Sequence, residues 1–214
     1  MKKKSLNRVR ILEAAITIAD ATDIDALSMR KLAGKLGVQA MSLYNHVDNK
    51  EDLLDGIVDI VVGKIDLPDI KSADWQLAMR QRATSARVVL LQHPWAAMLI
   101  MSRINVGPNT LRYVDATIGC LHEAGFSYQL ADQAWNAIDS HIYGFTLQEL
   151  DFPIDPLEYA NTAEQFLPLI PVEQYPYLNA LSQQVIDGTH VGIQDFNFGL
   201  DLILDGLERL RNSE

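Results

Sequence analysis

The stretch that most constrains the fold is residues 27–47, LSMRKLAGKLGVQAMSLYNHV, in which two short segments meet at a glycine. Ser28 can cap a helix in which Leu32 and Leu36 share one face. Gly37 follows that helix directly and can take the positive φ that a tight turn requires. The first segment is therefore predicted to be a helix that ends in a sharp turn.

The second segment predicts a short helix from Gln39 to about Val47, with Leu43 and Val47 on the core side. Its remaining face is small and polar, which permits close approach to another surface. Two helices joined in this way form a helix-turn-helix, whose second helix can enter the major groove of DNA. A bare turn of this kind also occurs in purely structural proteins, so the turn alone leaves both readings open.

Nearly every other part of the chain shows helical periodicity, and no alternating strand pattern or internal repeat is present. The fold class is therefore predicted to be all-α. Residues 66–74 are typical of a linker, and residues 151–176, which hold five of the eight prolines, are expected to be mostly irregular. The further helices are predicted at 6–21, 50–65, 75–92, 95–101, 109–124, 127–149, 177–187 and 192–211.

Charge is distributed unevenly along the chain, which has a net charge of -10. Residues 1–47 hold eight Lys and Arg against four Asp and Glu, a net charge of +4, so the remaining residues carry -14. Binding to a polyanion depends on local cations near the phosphates, so a basic head on an acidic body is compatible with DNA binding.

Several classes of protein are disfavoured by composition. Cys120 is the only cysteine, which rules out an intrachain disulfide or a thiolate metal cluster. The longest apolar run, residues 88–101, is too short and interrupted to cross a bilayer, and no signal peptide is indicated. No nucleophile-base pair or phosphate loop is visible. We expect a cytoplasmic protein that is not an enzyme and needs no metal or cofactor.

Two predicted helices, at 127–149 and 192–211, are unusually apolar. The second carries apolar side chains on most of its circumference, so it must be buried on more than one side. The pattern fits a central core helix and a subunit interface equally well.

The longer stretch 27–58 resembles the DNA-binding region of the tetracycline-repressor (TetR) family of bacterial transcription regulators. The residues that carry the resemblance are Arg30-x-Leu32-Ala33, Leu36-Gly37-Val38, Leu43-Tyr44-x-His46-Val47 and Asn49-Lys50-x-x-Leu53-Leu54. GFSYQLADQAW (125–135) and FNFGLDLILDGLERL (196–210) are similar to the C-terminal domain of the tetracycline-repressor subgroup. The resemblance implies a three-helix DNA-binding domain at residues 1–65 and a larger helical ligand-binding and dimerisation domain at 66–214.

The family's DNA contacts can be carried over position by position. They imply base contacts and phosphate contacts from Ser28, Arg30, Gln39, Ala40, Met41, Ser42, Tyr44, His46 and Lys50. Ala40 and Met41 depart from the Gln-Pro of the tetracycline repressors, so we expect a different operator. Met41 could equally be packing filler within the second helix.

The resemblance also implies a small-molecule site in the body. Aligned on Pro108, the histidine with which tetracycline repressors hold a magnesium-drug chelate falls near Arg103, so we expect no metal-tetracycline site. A mostly apolar effector is expected instead, and Arg103 is expected to pair with an acidic ligand or with nearby acids. The predicted lining residues, each of which could also be ordinary core, are Trp95, Met98, Met101, Arg103, Trp135, Ile138, His141 and Phe145.

In the tetracycline-repressor subgroup the two apolar helices pair with their copies in a second subunit. That implies a homodimer whose interface includes Ala134, Ile142, Phe196, Leu200, Ile203 and Leu207. The expected function is a repressor released from a palindromic DNA operator by a small-molecule ligand. The alternative is a helical protein-interaction module of the same fold without specific DNA binding.

Overall fold

A computed structural model describes residues 5–190 and 195–213, which form helices and no strand. Two predictions fall partly outside these residues: the cations at Lys2, Lys3 and Lys4, and the start of the last helix at 192–194. The chain divides into two compact units, which we call unit 1 (Met1–Leu150 and Leu200–Glu214) and unit 2 (Asp151–Gly199). In the part of the chain that is described, no helix has the length and apolarity needed to span a membrane.

Unit 1 contains seven α-helices and most of an eighth among its described residues. In chain order they are α1 (Arg8–Thr22), α2 (Met29–Leu36), α3 (Lys50–Val62), α4 (Trp75–Gln92), α5 (Ala96–Met101), α6 (Pro108–Glu123), α7 (Tyr128–Leu150) and, from Leu200 onward, α10 (Phe196–Arg211). These bounds lie close to the predicted ones, because caps and periodicity agree at most helix ends.

The first three helices pack around a small apolar core. Ile11 of α1, Leu32 of α2, Leu53 and Ile57 of α3 are fully buried, as is Leu43 between α2 and α3. Asn7 begins α1 by accepting a hydrogen bond from the backbone N–H of Arg10 at 2.9 Å. Fully burying an aliphatic side chain contributes about 1.5–3 kcal/mol, so these five positions hold the three helices together.

The body of unit 1 is built on α4, α6 and α7. Helix α7 packs against both other helices. Fully buried alanines lie on α4 (Ala83 and Ala86) and on α7 (Ala131 and Ala134). Small side chains let helix axes approach closely, so α7 becomes the central helix of this layer. Its predicted beginning is confirmed, since Ser127 Oγ accepts a hydrogen bond from the backbone N–H of Leu130 at 3.2 Å.

Unit 2 departs from the prediction of a mostly irregular 151–176 segment. It contains the helical pair α8 (Tyr159–Phe166) and α9 (Pro176–Ile186), which pack on each other. The prolines flank α8 and none lies inside it, because Pro156 and Pro168 fall in short 3-10 turns on either side. The proline count therefore obscured a regular helix of eight residues.

Candidate functional site

The helix-turn-helix forms as the sequence predicts at its first helix and turn. Ser28 Oγ accepts a hydrogen bond from the backbone N–H of Lys31 at 3.2 Å, which caps α2. Gly37 has φ +67°, the left-handed conformation that ends a helix without steric cost in glycine. The backbone N–H of Val38 then donates to the carbonyl of Ala33 at 3.1 Å. The backbone N–H of Gly37 donates to the carbonyl of Gly34 at 3.2 Å, so two backbone hydrogen bonds close the turn.

The second helix of the motif differs from the prediction. The structure places a 3-10 helix over Ala40–Asn45 instead of an α-helix from Gln39 to about Val47. Leu43 and Val47 do face the core, with 0% and 1% of their surface exposed. A 3-10 helix is wound more tightly than an α-helix, so side chains three residues apart lie in line with each other. We call Ala40–Asn45 the recognition segment.

The recognition segment presents an open outer edge. Met41 is 74% exposed and Tyr44 43% exposed, while Gln39 is exposed and Ser42 half-exposed. Met41 is thus not packing filler within the helix. Apolar and polar side chains of this size, standing free of the core, can contact base edges and phosphates of a duplex.

The other predicted DNA contacts lie on the elements beside the recognition segment. Ser28 and Arg30 are exposed at the start of α2, and Lys50 is exposed at the start of α3. Helix N-termini offer free backbone N–H groups and a partial positive charge, which favour phosphate. Asn49 caps α3 by accepting from the N–H of Asp52 at 2.9 Å.

A guanidinium that sequence reasoning missed holds the recognition segment to its neighbours. Arg8 of α1 donates from Nη1 to the carbonyl of His46 at 3.1 Å and to Asp52 Oδ2 at 2.7 Å. The hydrogen bond from Arg8 lowers the pKa of the Asp52 carboxyl. Arg8 thereby joins α1, the end of the recognition segment and α3. No local pattern reveals this contact, because its partners are about forty residues away in the chain.

Four of the eight predicted effector residues occupy α5 and its flanks. Trp95 is buried and donates from Nε1 to Asp20 of α1 at 2.7 Å, while Met98 and Met101 are about half exposed. Arg103 donates from Nε to Asp55 of α3 at 2.7 Å and pairs with Glu51 at 2.8 Å. Of the two expectations for Arg103, pairing with nearby acids is the one that the structure shows.

The other four lie along α7. Ile138 is fully buried, Trp135 donates from Nε1 to Asp139 at 2.7 Å, and the rings of His141 and Phe145 lie 5.7 Å apart. The structure therefore places four of the eight predicted residues on α5 and its flanks, which contact α1 and α3, and four on α7, against which α5 also packs.

A buried polar cluster in the same body was not predicted. Arg82 of α4, fully buried, donates from Nη2 to Asp139 of α7 at 2.7 Å, and Tyr143 donates to the same carboxylate at 3.1 Å. Burial raises the pKa of Tyr143 well above its ordinary value. An arginine and an aspartate on otherwise apolar helix faces were the signal available in the sequence. Buried charges are costly unless paired, so this pair is a fixed element of the core.

The predicted dimer residues are mostly internal to a single chain. Ala134 and Ile142 are fully buried in α7, and Leu200 and Leu207 are buried in α10. Phe196 is also largely buried, and Ile203 is half-exposed. The open faces of the same two helices are formed by other residues, namely Asn136, Ala137, Ser140 and Gly144 on α7, and Phe198, Leu202 and Arg209 on α10.

Unit 2 holds a groove of about 250 Å³ between α8 and α9. We call it the α8–α9 groove. Its walls are mostly apolar, with two aromatic rings, and its polar groups come from Thr162, Ser182 and His190. None of the eight predicted effector residues is among the lining residues. The apolar and aromatic walls are Ile154, Tyr159, Ala163, Phe166, Ile170, Leu178, Leu181 and Val185.

Two family profiles match the chain. Residues 11–57 match "Bacterial regulatory proteins, tetR family", and residues 67–211 match "Tetracyclin repressor-like, C-terminal domain". The first match contains the helix-turn-helix, and the second contains all of α4 to α10.

Individual relatives are similar over nearly the whole chain. The HTH-type transcriptional repressor DrrR1 of Streptomyces coeruleorubidus is 30% identical, over 97% of this chain and 79% of the relative. The class D tetracycline repressor protein of Escherichia coli is 30% identical, over 95% and 89%. Among solved structures, ActR of Streptomyces coelicolor in complex with actinorhodin has a TM-score of 0.83 and 28% identity, covering 97% of this chain and 99% of that one.

Proposed function

Since the chain belongs to the TetR family of bacterial regulatory proteins, we propose that it is a homodimeric repressor released from a palindromic operator by a small-molecule effector. The observation that carries this proposal is the exposed outer edge of the recognition segment, where Met41 and Tyr44 stand over the buried anchors Leu43 and Val47. An element that contacts DNA bases needs buried side chains that hold it to the core and exposed side chains on the opposite side. A repressor of this kind acts on the chromosome, which places it in the cytoplasm.

The DNA contacts divide by chemistry. Arg30 can donate two hydrogen bonds to guanine, and Met41 and Ala40 offer apolar contact such as that with a thymine methyl. Ser42 and Tyr44 add hydroxyls to the base-reading set. Ser28, Tyr44, His46 and Lys50 contact phosphates, and Gln39 lies directly before the recognition segment. Because Ala40 and Met41 replace the Gln-Pro of the tetracycline repressors, these base contacts favour an operator of different sequence.

The second copy packs on the outward faces of α7 and α10. Phe198 is 64% exposed and Leu202 59% exposed, one helical turn apart on α10. The open face of α7 carries small residues, Ala137, Ser140 and Gly144, against which a helix of another subunit can approach closely. The predicted positions Ala134, Ile142, Leu200 and Leu207 support these faces from inside the chain, with Phe196 and Ile203 beside them on α10.

Effector release is supported by relatives. ActR has been solved in complex with actinorhodin, and another relative is a class D tetracycline repressor protein. An effector that binds more tightly to the DNA-free state shifts the population toward that state.

The proposal is tested by selecting DNA from a random library with the purified full-length protein and measuring its mass in solution. A palindromic consensus and a dimer at micromolar concentration are expected. Tyr44→Ala should weaken binding to operator and random DNA alike, while Leu202→Glu should yield monomers. A monomer that recovers no DNA consensus contradicts the proposal. Tyr177→Ala, at an aromatic residue 90% exposed in unit 2, is the matched control for Tyr44.

A further inference from the structure

We infer that the α8–α9 groove binds a small lipophilic organic cation, an aromatic amine or quaternary ammonium compound, and that this compound is the effector. The second clause rests on the proposed function, whereas the binding itself does not. At about 250 Å³ the groove lies just below the usual range for ligand sites of about 300–1,000 Å³. It therefore suits a compound with one ring and a short chain.

The shape and lining of the groove favour a ligand with an apolar body. Eight of its lining residues are apolar or aromatic, and one of them, Val185, is buried. Tyr159 is half-buried and Phe166 is 54% exposed, so their rings remain available to a ligand. Aromatic faces carry negative electrostatic potential and attract cations, with quaternary ammonium groups among the preferred ligands.

The charge of unit 2 favours a cation over an anion. Residues 151–199 contain no lysine or arginine, and they contain seven acids. Four of these acids lie within two residues along the chain of a groove-lining residue: Asp155, Glu158, Glu164 and Asp187. A surface of one sign beside an apolar cleft raises the local concentration of ligands of the opposite sign. An anionic ligand meets repulsion at the same place.

The lack of basic residues extends well beyond the groove. From Tyr113 to Glu208 the sequence holds no lysine or arginine. Two arginines in the body of unit 1 are already paired with acids, Arg82 with Asp139 and Arg103 with Asp55 and Glu51. An acidic ligand that used either arginine would have to displace its ion pair, and a cation needs no such exchange.

Three probes with one phenylpropyl group separate charge from apolar contact. They are 3-phenylpropyltrimethylammonium, 3-phenylpropanol and 3-phenylpropanesulfonate, titrated into the full-length protein by calorimetry. The cation should bind about 10-fold more tightly than the alcohol, and the sulfonate more weakly than either. Equal affinity for all three, or binding of none, overturns the inference.

Variants then locate the site. Phe166→Leu keeps an apolar wall without a ring and should weaken the cation about 5-fold while changing the alcohol less. Tyr177→Leu is its control, since Tyr177 is an exposed aromatic residue of unit 2 outside the groove. Ala163→Trp should block all binding. Circular dichroism confirms that each variant folds. A cation affinity unchanged by both Phe166→Leu and Ala163→Trp places binding elsewhere and overturns the inference.

Charge is tested by Glu158→Gln combined with Glu164→Gln, which should weaken the cation alone about 3-fold. Glu123→Gln on α6 is the control for loss of an exposed acid outside unit 2. If the affinity for the cation is unchanged, Glu158 and Glu164 do not favour a cation over a neutral ligand, and the argument from the charge of unit 2 is overturned.

Operator binding is measured separately by fluorescence anisotropy, with and without the cation. Operator affinity that falls as the groove fills supports the effector role. Cation binding with unchanged operator affinity overturns that role and leaves the groove site standing. If operator binding is intact and no probe binds, the groove inference alone fails. If the cation binds and no DNA does, the proposed repressor function fails instead.

Discussion

Asp59 of α3 caps α6: its Oδ1 accepts hydrogen bonds from the backbone N–H groups of Asn109 at 3.0 Å and Thr110 at 2.9 Å. Asn109 Nδ2 donates to the other carboxylate oxygen at 3.0 Å, and the Asp59 side chain is largely buried. The carboxylate of one helix therefore satisfies the free amides at the start of another, fifty residues later in the sequence.

Removing this cap should destabilise the protein. Asp59→Ala leaves two backbone amides without their acceptor, and we expect a loss of about 2 kcal/mol in the free energy of unfolding. Urea denaturation followed by circular dichroism measures it. Gly107→Ala should act on the same contact, because a Cβ there would collide with the Asp59 carboxylate. Asp115→Asn, an exposed acid on α6, is the control and should change stability little.

Two glycines of the helix-turn-helix should respond to alanine with opposite signs. Gly37 has φ +67°, so Gly37→Ala forces alanine into the left-handed region and should cost about 1–2 kcal/mol. Gly34 lies inside α2 with open space around it, so Gly34→Ala should stabilise by about 0.5–1 kcal/mol. Equal effects from the two variants in urea denaturation would show that the turn does not depend on a left-handed residue.

The buried Arg82–Asp139 pair should show strong coupling. Arg82→Met leaves the carboxylate of Asp139 buried with hydrogen bonds from Trp135 and Tyr143 but no cation, which should cost about 3–5 kcal/mol. Adding Asp139→Leu removes the uncompensated charge and should recover much of the loss. A double-mutant cycle on unfolding free energies measures the coupling. Additive losses would mean that the two charges do not stabilise each other.

The Arg8–Asp52 pair predicts a pH dependence of stability. The pKa of Asp52 is lowered from its ordinary value of 3.8, so the folded state binds this proton less readily than the unfolded chain. The contribution is therefore complete above about pH 4 and is lost as pH falls through the lower, folded value. Because Arg8 is 43% exposed, solvent screening limits the contribution to about 0.5–1 kcal/mol.

Asp52→Asn tests that dependence directly. Wild type should be the more stable protein at pH 6, and the difference between the two should shrink as the pH approaches 3. A difference that is constant from pH 6 to pH 3 would assign it to hydrogen bonding by the side chain rather than to its charge.

Met41 should affect which DNA is bound more than whether the protein folds. Its side chain is 74% exposed, so Met41→Ala should change the free energy of unfolding by no more than about 0.5 kcal/mol. The sequence preference obtained by selection from random DNA should change at one or two base pairs. An unaltered consensus would remove Met41 from the base-reading set.

Local signals predicted most of the fold. Ser28, Gly37 and Ser127 occur at helix ends where the structure finds caps or a left-handed turn, because capping chemistry acts within a few residues. The α8 helix was missed because prolines at its flanks dominated the count for the segment. The recognition segment is a 3-10 helix rather than an α-helix. Its sequence is too short for the spacing of apolar residues to distinguish these two helix types.

The contacts that link distant segments could not be predicted in the same way. Arg8 reaches His46 and Asp52, and Arg103 reaches Asp55, across about 40–50 residues of sequence. The resemblance to a family indicated which helices form the dimer interface. It did not indicate which of their side chains are buried within a single chain. Residues such as Ala134 and Ile142 show this limit, because apolar character alone does not distinguish a chain's own core from an interface with a second copy.

The absence of lysine and arginine from α7, α8 and α9 has a practical consequence for handling the protein. Trypsin cuts after basic residues, so even a denatured chain yields one uninterrupted peptide from Tyr113 to Arg209. Amine-reactive dyes and cross-linkers, which couple to lysine side chains, leave these three helices unmodified. A fluorophore for following the α8–α9 groove therefore has to be placed by introducing a cysteine there, with Cys120 already buried in α6.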